Sequence, residues 1–215
     1  MHSSTFPHVY PIIDAAQFSA SPDPTAALLE FAADLLRGGA TIIQYRNKSD
    51  NVRQMLSQAR ELRRVAQDRA RLIMNDRADL CLAAEFDGVH LGQDDLSPLA
   101  ASRIFQEAAP GKSLWIGFST HNLEQVRLAD QLPVDYIAVG PVFATASKSK
   151  ADPVIGLEGI RQARRITQKP LVAIGGITRA NCRQVTEAGA NSVAVIADLV
   201  QSPRKSIEEF LRVLG

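Results

Sequence analysis

The sequence predicts an α/β protein with a single-domain (β/α)8 barrel, and three patterns lead to this fold class. Short apolar runs alternate with longer amphipathic runs over the whole length of 215 residues. The short runs are continuously apolar, which is typical of parallel strands buried on both faces. The repeated unit occurs eight times, and no linker or low-complexity tract interrupts it. In this interpretation residues 1–215 form one domain.

Eight apolar runs are the expected strands, and polar residues follow each of them. The runs are VYPII (9–13), TIIQY (41–45), RLIMN (71–75), GVHL (88–91), LWIGFS (114–119), YIAVG (136–140), LVAIG (171–175) and SVAVI (192–196). Eight strand–helix units in this length favour a closed barrel over a doubly wound open sheet, which exposes two edges and usually carries fewer strands. The closed arrangement is the TIM barrel.

The segments between the strands have the spacing of amphipathic helices. In 25–37, Leu28, Phe31 and Leu35 fall on one stripe, and 203–214 shows the same spacing. In barrels of this type, active sites lie at the carboxyl ends of the strands. The polar residues that directly follow each apolar run are therefore the candidates for function.

Composition and charge exclude several classes of function. Hydrophobic residues make up 46% of the chain and the net charge is +1, so no nucleic acid or membrane surface is expected as a partner. No apolar run could span a bilayer, and the N-terminus lacks a basic start followed by an apolar core. Cys81 and Cys182 lie in helix-like segments, which indicates small buried thiols rather than a disulfide or a metal pair. We expect a cytoplasmic protein.

Basic residues follow the second strand. Gln44, Arg46 and Lys48 alternate, so their side chains project to one side of an extended segment. Two cations that converge there would bind a phosphate, because their charges are balanced only when an anion is present. The alternative is a solvated pair of loop charges, and this motif alone does not decide between the two.

Carboxylates follow the third and fourth strands. Asn75 and Asp76 end one strand, and Asp94 and Asp95 follow the next one. Asn75 or either Asp could instead cap the helix that comes after it. Carboxylates that two neighbouring strands place at one rim, beside two cations, are also the arrangement expected for Mg²⁺ bridging a polyphosphate. His90 lies within its apolar run and is interpreted as a core or rim residue rather than a ligand.

Polar and glycine-rich segments follow the remaining strands. Ser119 ends the fifth strand, and the long segment 140–156 carries hydroxyls and Lys148, either as a functional lid or as a solvated insertion. The glycines of 175–178 follow strand seven, and a short extra helix is expected after strand eight. The loops after these two strands often bind phosphate through backbone N–H groups. The rim thus offers two anion sites, and it shows no pairing of a nucleophile with a base.

Motifs at successive strand ends resemble those of the thiamine-phosphate synthase family. They are IIQYRNK, NDRADL, GVHLGQDD, IGFSTH, YIAVGPVFATASK, VAIGGIT and AGANSVAVI, and the match runs from Val9 to Leu199. The resemblance implies a TIM barrel and a transferase that joins a pyrimidinylmethyl diphosphate to a carboxythiazole ethyl phosphate. The products would be thiamine phosphate, diphosphate and CO₂. It also implies a dissociative, Mg²⁺-assisted reaction in which diphosphate leaves first.

The resemblance assigns roles residue by residue. The substrate-binding residues would be Gln44, Tyr45, Arg46, Asn47, Lys48, Asn75, Ser119, Thr145, Ala146, Ser147, Lys148, Gly176, Ile196 and Ala197. Asp76 and Asp95 would bind Mg²⁺, and the catalytic cations that neutralise the leaving diphosphate would be Arg46, Lys48 and Lys148. The family usually has Thr where Ser147 stands and Ser where Ala197 stands, and only the second departure loses a hydroxyl.

Two other functions stay open. A thiazole tautomerase-like barrel would share the fold and one phosphate site, but it would not need the two carboxylates of a Mg²⁺ site. A non-catalytic regulator that binds a phosphorylated ligand would need no metal and would show no turnover. The sequence does not fix the oligomeric state, and a homo-oligomer is compatible with it.

Overall fold

The computed structural model describes residues 6–144 and 153–215, which form a closed barrel of eight parallel strands. Each strand pairs with its neighbours in chain order, and the first strand pairs with the last. The fold class predicted from the alternating runs is therefore confirmed.

The strands and helices follow the predicted order. The strands are β1 (Val9–Asp14), β2 (Ile42–Arg46), β3 (Arg71–Asn75), β4 (Gly88–Leu91), β5 (Trp115–Thr120), β6 (Tyr136–Val139), β7 (Leu171–Ile174) and β8 (Ser192–Val195). The helices are α1 (Pro24–Arg37), α2 (Val52–Ala66), α3 (Ala78–Ala83), α4 (Pro98–Ala108), α5 (Leu123–Asp130), α6 (Gly156–Ile166), α7 (Cys182–Glu187) and α8 (Pro203–Leu214). Two short 3₁₀ helices lie at Ala15–Phe18 and Ala197–Leu199.

Short polar side chains fix where several helices begin. Asp23, Asn51, Ser97 and Asn122 stand at the N-caps of α1, α2, α4 and α5 and accept a hydrogen bond from a backbone N–H of the first turn. The chain therefore leaves each strand, crosses a short loop and starts the next helix at a defined residue. This spacing leaves the residues between the strand end and the cap facing the barrel mouth.

Two apolar cores hold the barrel. The larger one fills the layer between the sheet and the outer helices, and the smaller one lies inside the barrel around Tyr10, Ile42 and Tyr136. At the N-terminal end of the barrel, the ring of Phe6 stacks on Trp115 with 5.4 Å between the ring centroids. The interior is therefore plugged at that end, and a cavity opens at the carboxyl ends of the strands.

The cysteines are buried, as predicted. Cys81 and Cys182 are both free thiols, and burial raises the pKa of Cys81 to about 12. Within residues 6–144 and 153–215, no helix is long and apolar enough to cross a membrane.

Candidate active site

A cavity of about 460 Å³ opens at the carboxyl ends of the strands. Seven of the predicted substrate-binding residues line it: Gln44, Arg46, Asn75, Ser119, Gly176, Ile196 and Ala197. These residues come from strands on opposite sides of the closed barrel. The rim that the sequence indicated is therefore one continuous pocket.

Side chains alternate between the two faces of β2, so the substrate-binding residues predicted in this strand do not all point into the barrel. Gln44 and Arg46 line the cavity, whereas Tyr45 points outward and its hydroxyl donates to Gln58 Oε1 of α2 at 2.6 Å. Asn47 follows Tyr45 and donates to its hydroxyl at 3.1 Å. The side chains of Tyr45 and Asn47 thus contact each other and α2.

Each cation of this segment has a carboxylate partner. Arg46 pairs with Asp14 at the end of β1, and Lys48 pairs with Asp76 at the end of β3. The expectation that these two charges are balanced only by a bound anion is therefore wrong, because neighbouring strand ends supply the counter-charges. The pairs hold both cations at the barrel mouth.

Asn75 is a buried amide with unused hydrogen-bonding capacity. Its side chain lines the cavity, and among the described residues its Nδ2 atom has no acceptor. A buried amide N–H without a partner costs free energy, so such a group usually has a ligand or water as its partner. Asn75 is thus suited to donate to a bound molecule.

The helix-capping interpretation of the carboxylates is not supported. The helix α3 follows Arg77 at its N-cap position, which makes no side-chain capping bond, and α4 is capped by Ser97. Asp76 adopts the left-handed conformation with φ of 63°, and Asp95 accepts a hydrogen bond from Gly92 N at 2.7 Å. Neither Asp76 nor Asp95 therefore serves the helix that follows it.

Asp76 and Asp95 lie beside each other at the rim. Burial raises the pKa of Asp76 above its ordinary value; Lys48 lowers it, and the neighbouring Asp95 carboxyl raises it. Two adjacent carboxylates repel one another, and a bound cation would relieve that repulsion. Among the described residues no cluster of three acidic, histidine or cysteine side chains could hold a metal. Two carboxylates fit Mg²⁺, which commonly takes one or two and completes its shell with water and phosphate oxygens.

The opposite side of the mouth is built from backbone. Gly176 follows β7 with φ of 63°, and a Cβ atom there would lie 2.6 Å from the backbone oxygen of Ala144. Only glycine fits this turn, because the segment after β6 packs directly on it. The backbone of Gly176 consequently lines the cavity without a side chain in front of it.

An ion pair joins the two loops on this side. Asp198, in the 3₁₀ helix after β8, accepts hydrogen bonds from both Arg179 N and Arg179 Nε at 2.9 Å. Arg179 follows β7 and also pairs with Glu209 of α8. The loop after β7 is thereby tied to the loop after β8, and the charge of Asp198 at the pocket wall is balanced.

The family model for thiamine monophosphate synthase matches residues 9–199. The chain belongs to the thiamine monophosphate synthase family. A thiamine-phosphate synthase of Koribacter versatilis is 53% identical over 209 residues, which cover 97% of this chain and 96% of the relative. One of Chloroflexus aurantiacus is 44% identical over 164 residues, covering 76% and 73%. These relatives confirm the family and the transferase class that the motifs predicted.

A solved structure supports the same conclusion. The thiamine phosphate pyrophosphorylase from Pyrococcus furiosus superposes with a TM-score of 0.81 at 33% identity, and the match covers 96% of this chain and 95% of that one. The match covers nearly the whole barrel.

Part of the family motif lies outside the described residues. Thr145, Ala146, Ser147 and Lys148 belong to the stretch 145–152, so their predicted roles stay predictions. Ala144, which directly precedes this stretch, and Val154, two residues beyond it, both line the cavity.

Several pocket residues of this family member were not selected from the sequence. Asp14, His90 and Asp198 line the cavity or bond a residue that does. Asp14 directly follows the first apolar run, at the last position of β1, whereas His90 lies inside an apolar run. The signal that would have found them is the two-residue period of a strand, since Asp14 follows Ile12 on the inward face and His90 follows Gly88.

Proposed function

We propose that this chain is a thiamine-phosphate synthase that condenses 4-amino-2-methyl-5-(diphosphooxymethyl)pyrimidine with carboxythiazole ethyl phosphate. One observation carries the proposal beyond family membership. A single cavity joins a wall at β2 to β5, which carries Arg46 and polar side chains, with a backbone wall at β7 and β8. Lys48, Asp76 and Asp95 follow strands of the first wall but are not among the residues that line the cavity. Two phosphorylated substrates need two anion sites within reach of each other, and this pocket offers both.

The pyrimidine substrate is assigned to the side of β2 to β5. The polar groups proposed to contact the pyrimidine ring come from Gln44, Asn75 and Ser119. Arg46 and Lys48 lie closer to the rim and would contact the diphosphate. Asn75 Nδ2 supports this assignment, because a ring nitrogen or a phosphate oxygen would supply the acceptor that the described protein does not.

The reaction needs stabilisation of a leaving group rather than a nucleophilic side chain. In a dissociative path, the bond from the pyrimidinylmethyl carbon to the diphosphate oxygen breaks first, and diphosphate leaves with the electron pair. The thiazole nitrogen then forms the new bond to the cation, the thiazole carboxylate leaves as CO₂, and the ring carbon that it leaves takes a proton. Arg46 and Lys48, together with Lys148, would balance charge on the departing diphosphate. Asp76 and Asp95 would hold Mg²⁺, which when bound supplies further neutralisation of the diphosphate.

The thiazole phosphate is assigned to the loops after β7 and β8. Gly176, Ile196 and Ala197 line this part of the cavity, where backbone N–H groups are the available donors. The ion pair between Arg179 and Asp198 holds the two loops next to each other, so that both would contact the same phosphate. The two substrates would thus meet over the centre of the barrel, above Ile12 and Ala194.

Product formation in the presence of each combination of substrates tests the proposal. With both substrates and Mg²⁺, thiamine phosphate and diphosphate should appear in equal amounts, and omission of either substrate should abolish both. Isomerisation of a thiazole phosphate without any product from the pair would favour the tautomerase-like function. Saturable binding of a phosphorylated ligand without turnover would favour the regulator. We place the enzyme in the cytoplasm, in keeping with its two free thiols.

A further inference from the structure

A chain of hydrogen bonds crosses the interior of the barrel beneath the pocket. Gln44 Nε2 bonds Tyr10 Oη at 3.1 Å, and Tyr10 Oη bonds Tyr136 Oη at 2.7 Å. Tyr136 Oη lies 3.1 Å from His90 Nδ1, and His90 Nε2 lies 2.8 Å from Ser119 Oγ. Both ends of the chain, Gln44 and Ser119, line the cavity, so buried side chains link two pocket walls.

The barrel makes room for this chain at a specific position. Gly117 of β5 is the register partner of Tyr136 on β6, and a Cβ atom at Gly117 would lie 2.0 Å from Tyr136 Cζ. The phenol ring of Tyr136 therefore occupies the part of the interior that a side chain at position 117 would fill. It stacks on His90 with ring centroids 5.6 Å apart and meets Tyr10 edge-on at 5.7 Å. Packing thus fixes the rings that carry the chain.

Counting hydrogens gives the chain a direction. An amide nitrogen only donates, so Tyr10 accepts from Gln44 and passes its own hydrogen to Tyr136. Tyr136 then donates to His90 Nδ1, which places the imidazole hydrogen on Nε2, facing Ser119. The reverse order would leave a buried phenol hydrogen without an acceptor. Burial raises the pKa of both phenols above the ordinary value, so they keep their hydrogens at neutral pH.

The two ends of the chain consequently present opposite groups to the pocket. One N–H of the Gln44 amide donates to Tyr10, which orients the amide group and leaves its carbonyl oxygen as an acceptor. Ser119 accepts from His90, so its own hydroxyl hydrogen remains as a donor. A 4-aminopyrimidine carries the complementary pair, an amino donor next to a ring-nitrogen acceptor. A 4-oxopyrimidine carries the reverse pair, a carbonyl acceptor next to a ring N–H.

We propose that Tyr10, Tyr136 and His90 are positioning residues that fix Gln44 as an acceptor and Ser119 as a donor, and so select an aminopyrimidine over an oxopyrimidine. This inference deepens the proposed function and rests on it. None of the three acts on the reacting atoms; they determine which hydrogen-bond pattern the pocket offers. A variant that interrupts these hydrogen bonds at Tyr136 should therefore weaken binding of the pyrimidine ring without changing the phosphate sites.

The variant Tyr136→Phe interrupts the chain and keeps the ring. We expect the KM for the pyrimidine diphosphate to rise about tenfold, because Tyr10 and His90 each lose their hydrogen bond to Tyr136 and no longer hold Gln44 and Ser119 in the orientation that binds the ring. The KM for the thiazole phosphate should stay nearly constant. Discrimination between the amino substrate and its 4-oxo analogue should fall by at least about tenfold, since Tyr10 and His90 lose the hydroxyl that links them and the hydrogen-bond pattern of Gln44 and Ser119 is no longer determined.

Two further variants separate positioning from stability. Thr167→Val removes a buried hydroxyl bond to Asp130 on the other end of the barrel and should leave both KM values unchanged. Tyr10→Phe should reproduce the effect of Tyr136→Phe, and the double variant should add little more, because both act through one chain. Fully additive effects, or equal rises in both KM values, would overturn the proposal.

Nitrogen NMR of His90 tests the direction of the chain without turnover. In the wild-type protein without substrate, at a pH where the ring is uncharged, the hydrogen should reside on Nε2. A hydrogen on Nδ1 would contradict the proposal even if the enzyme is active. A wild-type protein with the expected tautomer but no product from both substrates would instead refute the proposed function and leave the direction of the chain established.

Discussion

Asp14 and Arg46 stand side by side as register partners on β1 and β2, and their side chains form an ion pair at the mouth of the barrel. Asp14 also accepts a hydrogen bond from Ala16 N at 3.1 Å, so its carboxylate is fixed from two sides. The guanidinium is consequently held at the wall of the pocket. Arg46 therefore pairs with Asp14 within the protein and is also proposed to act on the diphosphate of the substrate.

The first prediction separates these two roles of Arg46. Arg46→Ala should abolish most turnover and also lower the free energy of unfolding by about 1–3 kcal/mol, because a partly buried carboxylate loses its partner. Adding Asp14→Asn should recover part of that stability but no turnover. Urea unfolding and steady-state assays on both variants measure this. Recovery of turnover in the double variant would show that Arg46 does not act on the diphosphate.

The second prediction concerns the proposed metal ligands. Asp76→Asn keeps a residue that tolerates positive φ and removes one of two adjacent carboxylates, so the melting temperature without metal should not fall. In the wild type, Mg²⁺ with diphosphate should raise the melting temperature by about 5–10 °C when both are well above their dissociation constants. This rise should be nearly absent in Asp76→Asn.

Asp94→Asn is the matched control for the metal ligands. It makes the same change of charge one residue before Asp95, on a side chain that is exposed. Its response to Mg²⁺ should equal that of the wild type. Equal loss of the response in Asp76→Asn and Asp94→Asn would point to net charge at the rim rather than to coordination.

The third prediction concerns the hydroxyl that the family usually has at position 197. Ala197 is exposed and lines the cavity at the start of a 3₁₀ helix, so a serine hydroxyl there has space. Ala197→Ser should tighten thiazole-phosphate binding by at most about 1.5–3 kcal/mol, because water already solvates the phosphate. The maximal rate should hardly change. A large rise in the maximal rate would mean that the hydroxyl acts in the transition state.

The fourth prediction concerns the tie between the phosphate loops. Asp198→Asn weakens the bonds to Arg179 and should raise the KM for the thiazole phosphate roughly five- to tenfold, since bonds to charged groups contribute about 1.5–3 kcal/mol. The KM for the pyrimidine should not change. Glu209→Gln weakens the other ion pair of Arg179, with the same change of charge, and should have a smaller effect. Tighter thiazole binding in Asp198→Asn would show that repulsion by Asp198 outweighs its positioning role.

The sequence predicted the barrel and most of its mouth because these depend on local patterns. Continuous apolar runs located all eight strands, and the residue two positions beyond Gln44 was correctly placed on the same face, at Arg46. The partners of the charged residues were not predictable in this way. The pairs Asp14–Arg46 and Lys48–Asp76 join neighbouring strands that are far apart in sequence.

The chain of hydrogen bonds inside the barrel was also not predictable from the sequence patterns. Tyr10, His90 and Tyr136 stand within apolar runs, where aromatic residues are expected simply to fill space. Their hydrogen bonds depend on strand register across the barrel and on the absence of a side chain at Gly117. The interpretation of the carboxylates as helix caps was wrong for a related reason. Several short polar residues lie near each helix start, and the residue that caps α4 is Ser97.

Formation of thiamine phosphate by the purified chain should depend on Mg²⁺, and it can be measured with the metal present and with the metal removed by a chelator. With both substrates present, the wild type should form product with Mg²⁺, lose nearly all activity with the chelator and regain it when Mg²⁺ is restored. Asp76→Asn should form little product in either condition. Undiminished product formation by the chelated wild type, or by Asp76→Asn, would contradict the account of the metal-assisted departure of diphosphate at this rim.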